Sequence, residues 1–164
     1  MQTPKRKYRF LLMALIGSLC LAASGAYAQD SSQAPMVKNL TQQQFGPVPG
    51  YPDCMRAAGL QGDPSKGPSL LLLRFKSGCT VPWHWHTPGE HLMLASGVGH
   101  AQMKGGKVVT LRSGAYAFLP GHNVHMFTCV SRCVLFLSSD GVFDTHYVDS
   151  SGKEISPAEA LKKN

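Results

Sequence analysis

The chain has 164 residues, with 16 Lys+Arg against 9 Asp+Glu and a formal net charge of +7 at pH 7. That length fits one domain with a sizeable core. Past the first ten residues there is no block of Lys and Arg, which excludes a nucleic-acid-binding surface.

Part of the positive charge belongs to an address. Lys5, Arg6, Lys7 and Arg9 form a basic start, residues 10–23 are apolar apart from Gly17 and Ser18, and Ala26-Tyr27-Ala28 has the small-x-small form of a cleavage site. The apolar run is short for a membrane span. Residues 1–28 are therefore expected to be a signal peptide cleaved after Ala28, giving a periplasmic or secreted protein with no membrane attachment. Leu19 before Cys20 speaks against lipidation, and the lack of a twin arginine points to the general secretory route. Losing those four basic residues lowers the net charge from +7 to +3.

Residues 29–68 read as an N-terminal extension and loop. Segment 30–38 is polar, and 46–52 and 62–68 are rich in Gly and Pro. Short apolar runs then follow at 69–76, 91–96, 99–104, 107–111, 115–119, 124–130, 133–138 and 143–148. Ser77-Gly78, Gly105-Gly106, Ser113-Gly114, Pro120-Gly121 and Asp140-Gly141 punctuate them. This rhythm predicts an all-β sandwich or barrel over 69–164. Several runs are apolar on both faces, which suits a filled barrel with a partly covered exterior. Near the end, Ser156 can cap a helix, Pro157 suits its first position and Glu159 completes a capping box, so a short C-terminal helix to Lys162 is predicted.

Four cysteines follow the leader: Cys54, Cys79, Cys129 and Cys133. Export makes disulfides plausible, and four cysteines allow three pairings. Cys129 and Cys133 flank a tight turn, which favours their pairing and leaves Cys54 with Cys79. Free thiols and a thiolate metal site are the rival readings, the latter without any Cys-x-x-Cys pair behind it.

The chemistry concentrates in His84-Trp85-His86-Thr87-Pro88-Gly89-Glu90 and in His125. Alternate residues of an extended strand share a face, so His84 and His86 point the same way. Glu90 opens the next strand after the Thr87-Pro88-Gly89 turn. His125 follows the turn at 120–123. Three imidazoles and a carboxylate suit a borderline divalent metal, with Fe, Mn, Ni, Zn and Cu all admissible. On an octahedral ion these four ligands would leave two positions for water, oxygen or substrate.

Other polar residues read more modestly. His122 is an exposed turn histidine, or else an acid/base group or an extra ligand at the rim. Tyr116 is a barrel packing residue or a hydrogen-bond donor inside the barrel. His91 alternates away from Glu90, and His100 can face either way. Asp144 and His146 share a strand face as a surface pair. Trp83 and Trp85 pack against neighbouring strands, and Met93, Met103 and Met126 fill core. No Ser/His/Asp order and no phosphate-cradling glycine loop is present.

The spacing resembles the cupin superfamily in its small single-domain form. Gly78, His84, His86, Glu90 and Gly97 stand where its first motif has Gly, His-x-His, Glu and Gly. Gly114, Pro120 and His125 stand where its second motif has Gly, Pro and His. Two places depart: His122 stands where a Gly is usual, with Gly121 one place early, and Cys129 replaces the closing Asn. The resemblance implies a double-stranded β-helix or jelly-roll barrel, a metal at His84, His86, Glu90 and His125, a small-molecule substrate or ligand, and a homodimer. It also implies dioxygenase, isomerase, lyase or decarboxylase chemistry as options. A non-catalytic metal- or ligand-binding module is the alternative, and a purely structural barrel the third reading.

Overall fold

The computed structural model describes residues 35–163. The expected signal peptide, 1–28, lies outside the described residues. Residues 35–37 carry no regular structure, and all the strands belong to the unit running from Lys38 to Asn164.

Ten strands form in chain order: β1 (Met55–Gln61), β2 (Ser69–Phe75), β3 (Thr80–Trp85), β4 (Glu90–Ser96), β5 (Val98–Met103), β6 (Val109–Arg112), β7 (Tyr116–Leu119), β8 (His125–Cys129), β9 (Cys133–Ser139) and β10 (His146–Tyr147). They pair into two five-stranded sheets, β1-β2-β9-β4-β7 and β10-β3-β8-β5-β6, with every pairing antiparallel. This is the expected all-β jelly roll.

The alternation of β9 shows why the sheets face each other. Cys133, Leu135, Leu137 and Ser139 are buried, and the residues between them are only half-buried. Leu73 and Phe75 of β2 and Leu92 and Leu94 of β4 join them in the core, met from the other sheet by Val81, Ala101 and Phe127. Phe75 and Phe127 touch edge-to-face at 5.6 Å across the interior. Each such side chain contributes roughly 1.5–3 kcal/mol by leaving water. Gly97 makes the tight turn from β4 to β5 with φ +95, and a Cβ there would strike the backbone of Arg132 and Cys133. Only glycine fits that corner.

Three strand expectations need correction. β1 lies inside 29–68, which reads as extension and loop. Its apolar signal is weak because Ala57, Ala58 and Gly59 are small; pairing with β2 holds it in the sheet. The run 143–148 supplies only the two residues of β10, because residues 143–145 leave the ladder to pack around His86. The run 107–111 shifts to β6, Val109–Arg112.

Ser156 caps the short helix α1 (Pro157–Ala160), with its Oγ accepting from the Glu159 N–H at 3.2 Å. Ala160 is buried in the core cluster, so the helix is docked. Cys54–Cys79 and Cys129–Cys133 both stand at bonding distance, with Cα separations of 5.7 and 5.9 Å. The first ties the residue before β1 to the one before β3. Among the described residues no helix is long and apolar enough to cross a membrane.

Candidate metal centre

Three strand ends place the four predicted donors. His84 sits near the end of β3 and pairs in register with His125, the first residue of β8. His86 follows β3 by one residue and keeps the inward face. Glu90, the first residue of β4, faces them from the other sheet, where it pairs with Ser139 and Leu119. All four are at most 4% exposed.

The donors converge. One ring nitrogen from each of His84, His86 and His125 lies within 4.8 Å of the other two. Glu90 Oε2 is 3.3 Å from His125 Nε2 and 3.7 Å from His86 Nε2. Metal bonds of about 2.0–2.2 Å put neighbouring ligand atoms about 3–3.5 Å apart, close to the two Glu90 distances.

Each imidazole is oriented from behind. The Nδ1 atoms lie 2.6 Å (His84 to Pro82 O), 2.5 Å (His86 to Asp144 O) and 2.7 Å (His125 to Asn123 O) from backbone carbonyls. A carbonyl can only accept, so each Nδ1 carries the proton and each Nε2 keeps its lone pair. Such rear hydrogen bonds are the usual way a protein aims histidine at a cation. Burial, then the neighbouring His125 and His86, hold the His84 imidazole well below its ordinary protonation range. Burial also lowers His86, against the opposing pull of Glu90. Both rings are thereby kept neutral.

What remains is a set of acceptors facing one another. His86 Nε2 and Glu90 Oε2 are buried with no hydrogen-bond partner. Unpaired buried polar atoms are costly, and a carboxylate more so. A donor set of three imidazoles and one carboxylate fits a borderline divalent ion, and the orphaned atoms are those it would satisfy.

The turn before β8 locks this geometry. His122 N donates to the His86 carbonyl at 2.8 Å, and the space over Gly121 is taken by the Thr87 carbonyl. His122 has φ 61, the left-handed conformation that explains why the cupin pattern has glycine here. Its exposed ring turns away from the donors to pack on Trp85, at 4.6 Å. It is therefore no extra ligand. Tyr116 also lies away from the interior: it is 59% exposed on the outer face, with its hydroxyl 2.8 Å from His91 Nδ1. The β4–β7 register decides this, because Glu90 and Leu92 point inward while His91 and Met93 point outward with Tyr116 and Phe118. His100 alternates outward beside buried Ala101.

Asp144 and His146 do form a partly exposed pair, at 3.3 Å. Burial alone would raise the Asp144 carboxyl, but hydrogen bonds from Thr87 and His146 hold it below its usual range. Its carbonyl, not its carboxylate, serves the centre by accepting from His86. Residues without a sequence signal complete the surroundings. Phe143 stacks on the His86 ring at 4.2 Å. Thr145 Oγ1 is 3.3 Å from His86 Nδ1 and is hydrogen-bonded to the Tyr51 hydroxyl. Tyr51 and Thr145 are 94 residues apart, so no local pattern could pair them. Pro82 and Asn123, by contrast, each stand two residues before the histidine they orient, a short-range signal a sequence does contain.

The family model described as a cupin domain matches residues 71–138. No curated protein matches the sequence. Among solved structures, an RmlC-like cupin from Shewanella frigidimarina aligns with a TM-score of 0.55 and 18% identity, over 66% of this chain and 92% of that one. DMSP lyase DddQ from Ruegeria pomeroyi aligns with a TM-score of 0.57 and 16% identity, over 69% of this chain and 64% of that one. KdgF from Halomonas sp. aligns with a TM-score of 0.53 and 15% identity, over 62% and 92%. At such identities the likeness is one of fold. Motif spacing and strand order agree with these matches: residues 71–138 match the cupin domain, and the fold is the one these cupin structures share.

Proposed function

We propose that this chain is an exported cupin that holds one divalent transition metal at His84, His86, Glu90 and His125 and acts there on a small molecule. One observation carries the reading: three imidazoles have their Nδ1 protons committed to carbonyls and their other nitrogens gathered together, with the Glu90 carboxylate beside His86 and His125 and both His86 Nε2 and Glu90 Oε2 left without a partner. A cation is what such an arrangement lacks. When bound, it supplies Lewis-acid polarisation of an oxygen ligand and acidifies water.

The chain's own residues do the rest. Burial keeps His84 and His86 neutral, so both can bind without first losing a proton. Glu90 offsets part of the positive charge. The carbonyls of Pro82, Asp144 and Asn123 hold the rings at fixed angles, and the apolar residues around them exclude bulk water. Two disulfides at bonding distance support an oxidising compartment, as does the leader-like start of the sequence.

A second reading, a non-catalytic metal- or ligand-binding module, rests on a different observation. The cavity beside the donors offers no titratable side chain beyond the ligand set and Tyr51.

Elemental analysis of protein purified from its native compartment tests the first reading. One equivalent of a transition metal is expected, lost in His84→Ala and His86→Ala variants that keep wild-type circular dichroism. An empty wild-type protein that takes up no added metal overturns it. Turnover of small phenols, diketones or hydroxy acids by the loaded protein favours the enzyme; binding without turnover favours the module. A homodimer is expected from the family and is read by sedimentation.

A further inference from the structure

Two cavities share a wall at the centre. The inner one, about 30 Å³, touches His84, His86 and Glu90 and is otherwise ringed by apolar side chains such as Leu92 and Phe127. It has room for an ion or water and little else. The outer one, about 280 Å³, lies among Val48, Leu71, Phe143 and Thr145. Tyr51, Met55, Leu73 and Leu137 line both. The outer volume falls just below the roughly 300–1,000 Å³ typical of pockets for drug-sized ligands, so its occupant is small.

The chemistry of the outer wall is selective. None of its lining residues is Lys or Arg. Its one charged residue, Asp144, is already engaged: the carboxylate accepts the Thr87 N–H at 2.7 Å and the Thr87 hydroxyl at 2.6 Å, and it faces His146. A phosphate or free carboxylate would be desolvated there with no counter-charge, which is strongly unfavourable. The neutral polar side chains on the wall are the hydroxyls of Tyr51 and Thr145, bonded to each other, with Thr145 against the rear of His86. Phe143 adds a flat apolar face on the same side.

We propose that the outer cavity binds a compact, uncharged apolar molecule bearing one oxygen function, and that the Tyr51–Thr145 hydroxyl pair orients that oxygen toward the centre. Tyr51 is a positioning residue, standing in the partition between the two cavities. What the oriented oxygen meets rests on the metal reading above; the binding itself does not.

Calorimetric titration of the full exported chain with phenol and with phenyl phosphate tests this, since the two probes share a ring and differ in charge. Phenol is expected to bind at least about tenfold more tightly, by the cost of an unpaired buried charge. Tyr51→Phe is expected to weaken phenol about three- to tenfold, the loss of one hydrogen bond. Leu71→Arg, which adds a cation to the wall, is expected to reverse the preference. The proposal is overturned if the wild type binds phenyl phosphate as well as phenol, if it binds neither, or if Tyr51→Phe binds phenol unchanged. Cobalt titration without phenol, followed by visible absorption, reports separately on the metal centre. Phenol binding with no cobalt signal sinks the metal reading alone, and a cobalt signal with no phenol binding sinks the pocket alone.

Discussion

Glu90 Oε2 lies 3.3 Å from His125 Nε2, a contact between the first residues of two strands that belong to different sheets. With the His125 Nδ1 proton committed to Asn123 O, a neutral His125 has no N–H to give Glu90. The two atoms are neighbours without a bond between them.

Glu90→Gln removes the buried charge and keeps the shape. We expect divalent-metal affinity to fall at least about tenfold, the lower bound of effects seen even for residues one layer removed from a metal. The metal-free fold should lose no stability, because a buried carboxylate without a partner is itself a cost. Competition titration against a chelator and chemical denaturation of the metal-free protein measure the two effects.

Metal should also stabilise the fold by mass action. At a free concentration of about 100 times Kd the gain is about 2.7 kcal/mol. Differential scanning calorimetry should show a higher Tm with metal, reversed by chelator. The shift should vanish in His86→Ala.

The metal-free protein should be acid-sensitive in a defined direction. His84 and His86 both sit below their ordinary value of 6.5 in the fold, chiefly through burial. Between the folded and unfolded values the unfolded chain binds more protons, so stability rises with pH there and is lost as pH falls below about 6.5. Urea unfolding at a series of pH values reads this slope. Replacing His84 by Gln should flatten it, and an unchanged slope would contradict the assignment.

The Cys54–Cys79 bond closes a loop with a sequence separation of 25. Its removal as a double Cys→Ser variant should cost about 3 kcal/mol in the chain-entropy account. Cys129–Cys133 closes a separation of 4 and should matter less. Denaturation midpoints of the two double variants rank them.

His122 holds φ 61 at a place where glycine is the easier residue. Both His122→Gly and His122→Ala lose the contact with Trp85, so comparing them isolates the backbone. Glycine should be the more stable by about 1 kcal/mol. Metal stoichiometry should be the same in both.

Much of the site is legible along the chain because strand geometry is local. His84 and His86, two residues apart, share a face wherever the backbone is extended, and Pro82 and Asn123 lie within two residues of the rings they hold. The Gly, Pro and His spacings of the second motif mark the turn that His125 follows. β1 is not legible, since Ala57, Ala58 and Gly59 present almost no apolar contrast and owe their strand to the ladder with β2. Tyr116 misleads for a related reason: a strand's period tells which residues share a face, but not which face looks inward.

By itself, then, the sequence determined the all-β class and the strand ends that bear His84, His86, Glu90 and His125; among three cysteine pairings it only favoured the one the structure shows. These follow from backbone periodicity, turn chemistry and short-range spacing. Only the tertiary structure decided that the three histidine nitrogens gather within 4.8 Å with Glu90 beside two of them, that Tyr51 reaches Thr145 across most of the chain, and that Asp144 serves through its carbonyl. Those relations depend on how two sheets close over a core, and no local rule encodes contacts between residues so far apart.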